Sequence, residues 1–352
     1  MKAGIFDPYL DSVGGGERYA SSLAEALLNK GWEVNYFWEG VSVKDKLIQR
    51  FSLKIEKAGF VSYSPYKNTL LKRYLFEKEY DLLFYFSDGS IPLMFGKKNL
   101  LHFQVPFKNV LKKSLINSLK LLTINGVICN SLFTKNVIDM CLGITSKYIY
   151  PPVDVSPIKP LKKKNIIIAV GRFSQLLQGK RQDILIESFI ILINKFNLKG
   201  WKLILAGGSD VGASEYIQDL KKMISGCPVE IIENPTFQEL IKLYGEAKIF
   251  WTASGYGIDE NINPEKVEHF GMTTVEAMAA GCVPIVQGKG GQKEIITEDK
   301  NGFCWLEKNE LQSKTLGIIL NPSLMKKISL NAILRSREYS KEKFIEQISK
   351  LI

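Results

Sequence analysis

What this 352-residue chain has little of bounds it first. Histidine occurs only as His102 and His269, and the five cysteines, Cys129, Cys141, Cys227, Cys282 and Cys304, contain no Cys-x-x-Cys pair. That supply of ligands makes no zinc site. An odd number of widely spaced cysteines makes no disulfide framework either, and reads as reduced, mostly buried thiols. No apolar run approaches the ~20 residues that span a bilayer, and the start "MKAGIFDPYLDS" has no secretory h-region. The expectation is a protein made and kept in the cytoplasm. Acids are outnumbered, 36 against 47 lysines and arginines, for a formal charge of +11. The imbalance is local. No Asp or Glu lies between Asp88 and Asp139, whereas Lys97, Lys98, Lys108, Lys112, Lys113, Lys120 and Lys135 all do. An anionic partner follows, whether a diphosphate, a membrane surface or nucleic acid. The last rests on charge alone, because no helix-turn-helix, RNA-recognition or zinc pattern accompanies it.

What is present reads as globular, with 45% hydrophobic and 24% charged residues and enough length for two domains. Apolar runs at 2–6, 32–38, 80–87, 99–105, 125–131 and 147–153 read as strands with helical patterns between them, and Ser131 is a candidate N-cap for 132–140. Residues 155–164, "VSPIKPLKKK", combine two prolines with four lysines and read as a linker. The pattern then restarts. Strands are expected at 165–171, 201–208, 228–232, 248–254 and 282–288, and helices at 181–196, 214–225, 236–247, 273–280, 309–320, 323–337 and 340–351. A capping box, Thr236 to Glu239, opens one of them. Alternating strands and helices predict an α/β protein with two doubly wound parallel sheets, in domains 1–155 and 165–338 with a final helix over 339–352. Two such units are expected to leave a ligand cleft where the C-terminal ends of their strands face each other.

The most informative stretch is 267–281, "VEHFGMTTVEAMAAG". Helix-favouring residues from Thr273 onward place Glu268 in the preceding loop and Glu276 in the first turn. Free amides and the positive end of the dipole gather at such a helix start, and Gly271 permits close approach to the main chain. The result is an anion site flanked by two carboxylates, which suits a ligand with phosphate in the middle and hydroxyls at both ends. A nucleotide-sugar has that layout. The competing account is a capping box in which Glu276 bonds back to the Thr273 amide.

Three further stretches bear on the site. Gly14, Gly15 and Gly16 close a loop between the first strand and a helix, as a phosphate cradle or a tight turn would. Arg172 and Lys180 flank a loop at a strand end, where cations can hold a diphosphate. His102 ends an apolar strand, where a histidine is either a satisfied structural residue or a functional one. Residues 255–267 form a polar loop, a solvated excursion or a lid, and Gly290-Gly291 follow a strand as a turn that lines a site or reverses the chain. Residues 107–122 can form a helix with Phe107, Val110, Leu111, Leu115 and Leu122 on an apolar face and Lys113 and Lys120 on the other. Such a helix either packs on the core or lies on an anionic membrane.

The Glu-x7-Glu spacing of Glu268 and Glu276 with an internal Phe-Gly, the Gly171-Arg172…Lys180 pattern and Gly15-Gly16-Glu17 together resemble the retaining GT-B-fold glycosyltransferases of family 4. "EHFG" at 268–271 is similar to lipid-linked mannosyltransferases of the dolichol pathway. The resemblance covers nearly the whole chain and implies transfer of a hexose from a nucleoside diphosphate sugar to a glycan or lipid-linked acceptor with retention. It implies that Glu268 contacts the donor sugar, Glu276 the ribose, and the stretch Phe270, Gly271, Met272, Thr273 and Thr274 the sugar and diphosphate. It further implies that Arg172 and Lys180 neutralise the leaving diphosphate, that Gly15 and Gly16 face the donor phosphates, and that His102 lies near the donor sugar. Here the family's Lys-Gly is replaced by Gly179-Lys180-Arg181, so either cation can be the inward one. The sequence has no Asp-x-Asp motif, and with Arg172 and Lys180 in place no metal or other cofactor is expected. The rivals are a sugar-nucleotide epimerase or glycan synthase of the same fold, and a non-catalytic sugar-nucleotide binder. The expected location is the cytoplasm, with a peripheral position at the inner face of the membrane if the acceptor is lipid-linked.

Overall fold

The structure, a computed structural model, describes residues 1–65, 67–108, 114–174, 178–209 and 212–352. The chain divides into two compact units, Met1–Pro152 with Lys341–Ile352, and Val153–Ser340.

The first unit carries a parallel sheet of seven described strands, β1 (Lys2–Phe6), β2 (Glu33–Phe37), β3 (Gly59–Val61), β4 (Leu82–Phe86), β5 (Lys98–Phe103), β6 (Gly126–Cys129) and β7 (Lys147–Tyr148), in the order β3-β2-β1-β4-β5-β6-β7. Its helices are α1 (Gly15–Asn29), α2 (Ser42–Phe51), α3 (Leu70–Glu77), α4 (Leu115–Leu121) and α5 (Leu132–Leu142). Strand side chains alternate between two apolar clusters, one on each face. Leu82, Phe84 and Phe86 join Tyr19 and Leu23 of α1, and Leu83 and Tyr85 join Leu101 and Phe103. Burial on both faces is why these strands read as unbroken apolar runs. Ser131 caps α5 by accepting from the Thr134 amide, as expected, and Gly143 ends it in the left-handed conformation. The run at 147–153 pairs over only two residues, since Pro151 and Pro152 have no N–H to give a ladder.

Helix α4 departs from the expected 107–122. It begins at Leu115, capped by Ser114, while Val110, Leu111, Lys112 and Lys113 lie outside the described residues. Phe107 is partly buried beside the core, but Leu115 and Leu122 are 77% and 81% exposed and α4 has no buried residue. Leu121 of α4 packs against the core, as Phe107 does.

The second unit repeats the architecture with six described strands, β8 (Lys164–Val170), β9 (Lys202–Gly207), β10 (Val229–Glu233), β11 (Ala247–Trp251), β12 (Val283–Gln287) and β13 (Phe303–Trp305), parallel and ordered β10-β9-β8-β11-β12-β13. Its helices are α6 (Gln182–Phe196), α7 (Ala213–Met223), α8 (Phe237–Glu246), α9 (Met272–Ala279), α10 (Gln292–Ile295), α11 (Lys308–Leu320) and α12 (Pro322–Ser336). The capping box at Thr236 is present, with both reciprocal bonds to Glu239. The Pro- and Lys-rich stretch 155–164 packs on this unit: Ile158 is buried and the Leu161 amide donates to the Gly245 carbonyl. The last helix, α13 (Lys341–Ser349), belongs to the first unit, where Phe344 and Ile348 join the cluster around Tyr19. No helix among the described residues is long and apolar enough to cross a membrane.

Candidate active site

Strand β8 ends at Val170, and the chain turns through Gly171 and Arg172. Gly207, at the end of the neighbouring β9, lies so close that a Cβ there would come within 1.9 Å of the Gly171 carbonyl oxygen. A Cβ on Gly171 would in turn meet Cγ of Lys180 at 2.7 Å. Only glycines let the two strand ends and the Lys180 stem pack this closely. The stem thus held brings Nζ of Lys180 within 2.7 Å of Oε2 of Glu268, 88 residues on. Burial would raise the Glu268 pKa, but the charge and hydrogen bond of Lys180, with His269 and Arg172 adding to them, lower it below its usual value. Arg172 itself is exposed. Arg181 is committed elsewhere: its guanidinium makes a forked pair with Asp183 and donates to the Tyr256 carbonyl. Of the two candidate cations, Lys180 is the one beside Glu268. A cavity of about 300 Å³ lined by Ser174, Gly179, Arg181, Asp183 and Tyr216 adjoins this loop.

Glu268 leads into α9, which starts one residue earlier than expected. Gly271, at φ +116°, is the N-cap, Met272 is the first helical residue, and Glu276 falls beyond the first turn. The Thr273–Glu276 capping box does not form, because Thr273 is already inside the helix. Glu276 is instead buried and accepts a hydrogen bond of 3.2 Å from the Tyr244 hydroxyl of α8. Thr274 donates to Oε1 of Gln292 at 3.0 Å, and a Cβ on Gly271 would meet the Gln292 amide group at 2.8–3.0 Å. Nε2 of Gln292 is buried with no hydrogen-bond partner among the described residues. Met272 and Thr273 are half-buried. Phe270 is buried edge-on against Tyr339, so its ring packs and only its main chain can face a ligand. His269 is buried too, its Nε2 3.1 Å from the Glu265 carbonyl, which makes that nitrogen the donor.

Gly290 and Gly291 do more than reverse the chain. Added Cβ atoms would lie 2.1 Å from the Glu268 carbonyl oxygen and 2.3 Å from that of His269, and the Gly291 amide donates to the Glu268 carbonyl at 2.8 Å. The two glycines thus brace the main chain that carries Glu268. The 255–267 loop is anchored to the same turn: Glu260 accepts from the Gly290 amide and pairs with Lys293, and Lys289 donates to the carbonyls of Gly255 and Ile258.

In the first unit, Gly15 and Gly16 open α1 as expected, but the Gly14 amide already donates to the Glu17 carboxylate. Glu17 and Asp7 are both buried beside this loop. Oδ1 of Asp7 accepts from the Tyr9 amide, Oδ2 has no hydrogen-bond partner among the described residues, and burial together with the charge of Glu17 pushes the Asp7 pKa up to about 8. Two acids make the glycine loop a poor phosphate cradle and a better acceptor of hydroxyl hydrogen bonds. His102 lies at the end of β5 in the same unit. Its ring is fully buried, 4.2 Å from the Tyr19 ring centre and flanked by Phe84 and Phe86, and burial pulls its pKa down to about 4. Burial among aromatics thus favours the neutral ring. Its Nε2 is 2.9 Å from Oε1 of Gln104, whose stem faces Gly16, so His102 orients Gln104.

Residues 155–335, the second unit almost entire, match the family described as Glycosyl transferases group 1. The chain belongs to that family. Two Rossmann-like parallel-sheet units are the GT-B fold, and the whole chain superposes on solved structures of that fold. Anabaena HepE in complex with UDP and glucose has a TM-score of 0.74 at 19% identity, with 100% of this chain and 99% of that one covered. A glycosyltransferase from Rickettsia africae has a TM-score of 0.76 at 19% identity, covering 99% and 97%. In sequence, the chain is 31% identical over 197 residues to a GDP-Man:Man(3)GlcNAc(2)-PP-Dol alpha-1,2-mannosyltransferase of Xenopus laevis, covering 50% of this chain and 37% of that protein. It is 25% identical over 380 residues to an uncharacterized glycosyltransferase of Haemophilus influenzae, covering 98% of each. The chain spans half or less of the length of the first curated mannosyltransferases it matches.

Several residues of this group 1 glycosyltransferase carry no motif that sequence reasoning could use. Tyr244 sits in the apolar stripe of α8 and looks like core until Glu276 is placed beside it. Gln292 and Glu260 reach the site from a short helix and a long loop. Asp7 gave a readable signal, an acid just past the C-terminal end of a strand, where α/β folds bind ligands. Among the described residues no group of three or more His, Cys, Asp or Glu side chains could hold a metal ion.

Proposed function

We propose that the protein transfers a hexose from a nucleoside diphosphate sugar to a glycan or lipid-linked acceptor, with retention at the anomeric carbon. The observation that carries this reading is the meeting of Lys180 with Glu268, in reach of the Arg172 charge, just before the N-terminus of α9. Arg172 and Lys180 take the negative charge of the departing diphosphate in place of a bound metal, and the helix start adds amides and dipole. Glu268 accepts from a sugar hydroxyl, and Glu276, held by Tyr244, accepts from the ribose. Catalysis by such a site is positioning plus electrostatic stabilisation of an oxocarbenium-like centre. The named donor of the Xenopus relative, GDP-mannose, and the UDP in the Anabaena structure both belong to the proposed donor class. The PP-Dol acceptor in the relative's name supports a lipid-linked acceptor and work at a membrane surface.

Thermal stabilisation by UDP-, GDP- and ADP-sugars tests the donor half, because ligand at about 100 times its Kd adds roughly 2.7 kcal/mol. One donor series should raise Tm in the parent, and Arg172→Ala should lower its kcat/KM on the order of ten- to a hundred-fold. No stabilisation by any nucleotide sugar would remove the reading.

A further inference from the structure

We propose that Lys163 is a positioning residue for the nucleotide, acting through the C-terminal ends of α8 and α9 on the pair formed by Tyr244 and Glu276. This rests on the reading above in which Glu276 meets the ribose. Neither helix has a basic residue of its own in its last turn, and α8 ends on an acid, Glu246. The negative pole of each helix, and the last carbonyls that no amide of the helix reaches, therefore call for a cation from elsewhere in the chain.

The stretch just before β8 supplies it. Nζ of Lys163 donates to the carbonyl of Ala247, the C-cap of α8, at 2.7 Å and to that of Ala280, the C-cap of α9, at 2.6 Å. A longer donation of 3.4 Å reaches the Tyr244 carbonyl in the last turn of α8. One ammonium thus serves the ends of both helices with its three N–H groups. The buried Cys282 thiol closes the same cluster, donating to the Tyr244 and Ala247 carbonyls at 3.2 and 3.3 Å. Lys164, the next residue, is exposed and pairs with Glu246 at 2.8 Å. The chain leading to Lys163 is fixed as well: the Leu161 amide donates to the Gly245 carbonyl, and a Cβ on Gly245 would meet Cγ of Leu161 at 2.7 Å.

What Lys163 holds together are the two helices that share the ribose contact. Tyr244 on α8 donates to Glu276 on α9 at 3.2 Å, and both side chains are buried. That is already long for a bond between two oxygens, so a small slide of either helix breaks it. The start of α9 is held separately, by Gly271 packed against the Gln292 side chain and by the Thr274 bond to Gln292. Loss of the Lys163 ammonium therefore displaces Glu276 while the amides at the phosphate end keep their places.

Titration calorimetry of the full chain with UDP, GDP and ADP, and with inorganic pyrophosphate, tests this. Lys163→Met keeps most of the stem and removes the ammonium; it should weaken the best-bound nucleoside diphosphate roughly three- to tenfold, the scale of one displaced hydrogen bond, and leave pyrophosphate binding unchanged. Lys163→Gln keeps N–H donors without the charge, should fall between parent and Lys163→Met, and carries the same test if the methionine variant does not fold. In a Glu276→Gln background, Lys163→Met should cost nothing further, because the group it acts through is already changed. Equal losses for pyrophosphate and nucleoside diphosphate, or additive losses in the double variant, overturn the inference, since either assigns the effect to a general loosening of the unit. So does a folded Lys163→Met protein that binds the nucleoside diphosphate like the parent while Glu276→Gln binds it less, a result that leaves the proposed function standing. If Glu276→Gln itself binds like the parent, the ribose reading falls and this inference falls with it.

Discussion

Nζ of Lys180 lies 2.7 Å from Oε2 of Glu268, with the two side chains 22% and 16% exposed. Under the proposed function, an incoming diphosphate would compete with Glu268 for the same ammonium, coupling donor binding to the carboxylate proposed to receive the sugar.

Lys180→Met should cost about 1–3 kcal/mol at pH 7, the scale of a charged hydrogen bond left unmade. The sign follows from the lowered Glu268 pKa: the pair's contribution is present above the ordinary value of 4.5 and is lost as pH falls through the folded value. Urea unfolding should therefore show the deficit at pH 7 and a smaller one below pH 4. Equal deficits at both would assign the effect to packing.

Tyr244→Phe removes the donor to Glu276 and should cost about 1 kcal/mol, because it leaves a buried carboxylate oxygen without that bond. If Glu276 holds the ribose, Glu276→Gln should weaken binding of the nucleoside diphosphate alone, whereas Glu268→Gln should matter only when the sugar is attached. Calorimetry with and without the sugar separates the two.

Gly290→Ala should destabilise by more than about 1 kcal/mol, through its positive φ and a Cβ 2.1 Å from the Glu268 carbonyl oxygen. Donor affinity should fall with it, since the strain falls on the main chain under Glu268. Gly317→Ala is the control. A Cβ there meets nothing within 4 Å, in the middle of α11, and should stabilise by roughly 0.5–1 kcal/mol. A Gly290→Ala protein as stable as the parent would remove the bracing role.

Asp7→Asn should flatten the pH dependence of stability between about pH 4 and pH 8. With its folded pKa raised from 3.8 to about 8, Asp7 contributes stability that is complete below the unfolded value and is lost as pH rises through the folded one. Its share of the slope is on the order of 1 kcal/mol per pH unit inside that window. Unfolding free energies of parent and variant that run parallel from pH 5 to pH 8 would show that Asp7 does not carry this proton.

The two sheets were legible because strands buried on both faces leave unbroken apolar runs, such as "NIIIAV" in β8 and "LLFYF" in β4. The three-residue edge strands β3 and β13 were not, being too short to leave a pattern. Within the site, the residue types and spacing around Glu268 and Arg172 pointed to anion and polyol chemistry. The Thr273–Glu276 box was misleading, because a local rule cannot know that a left-handed Gly271 starts the helix earlier.

The sequence by itself determined the alternation of strands and helices, the carboxylates and cations of the site, and the acid-free stretch from 89 to 138, all properties of local order and composition. Only the tertiary structure decided that Lys180 rather than Arg181 meets Glu268, that His102 is walled in by aromatics, and that Leu70, Leu71, Leu115 and Leu119 are exposed. Those outcomes depend on contacts between residues as far as 88 positions apart, and periodicity along a chain states which side chains share a face without stating what that face meets.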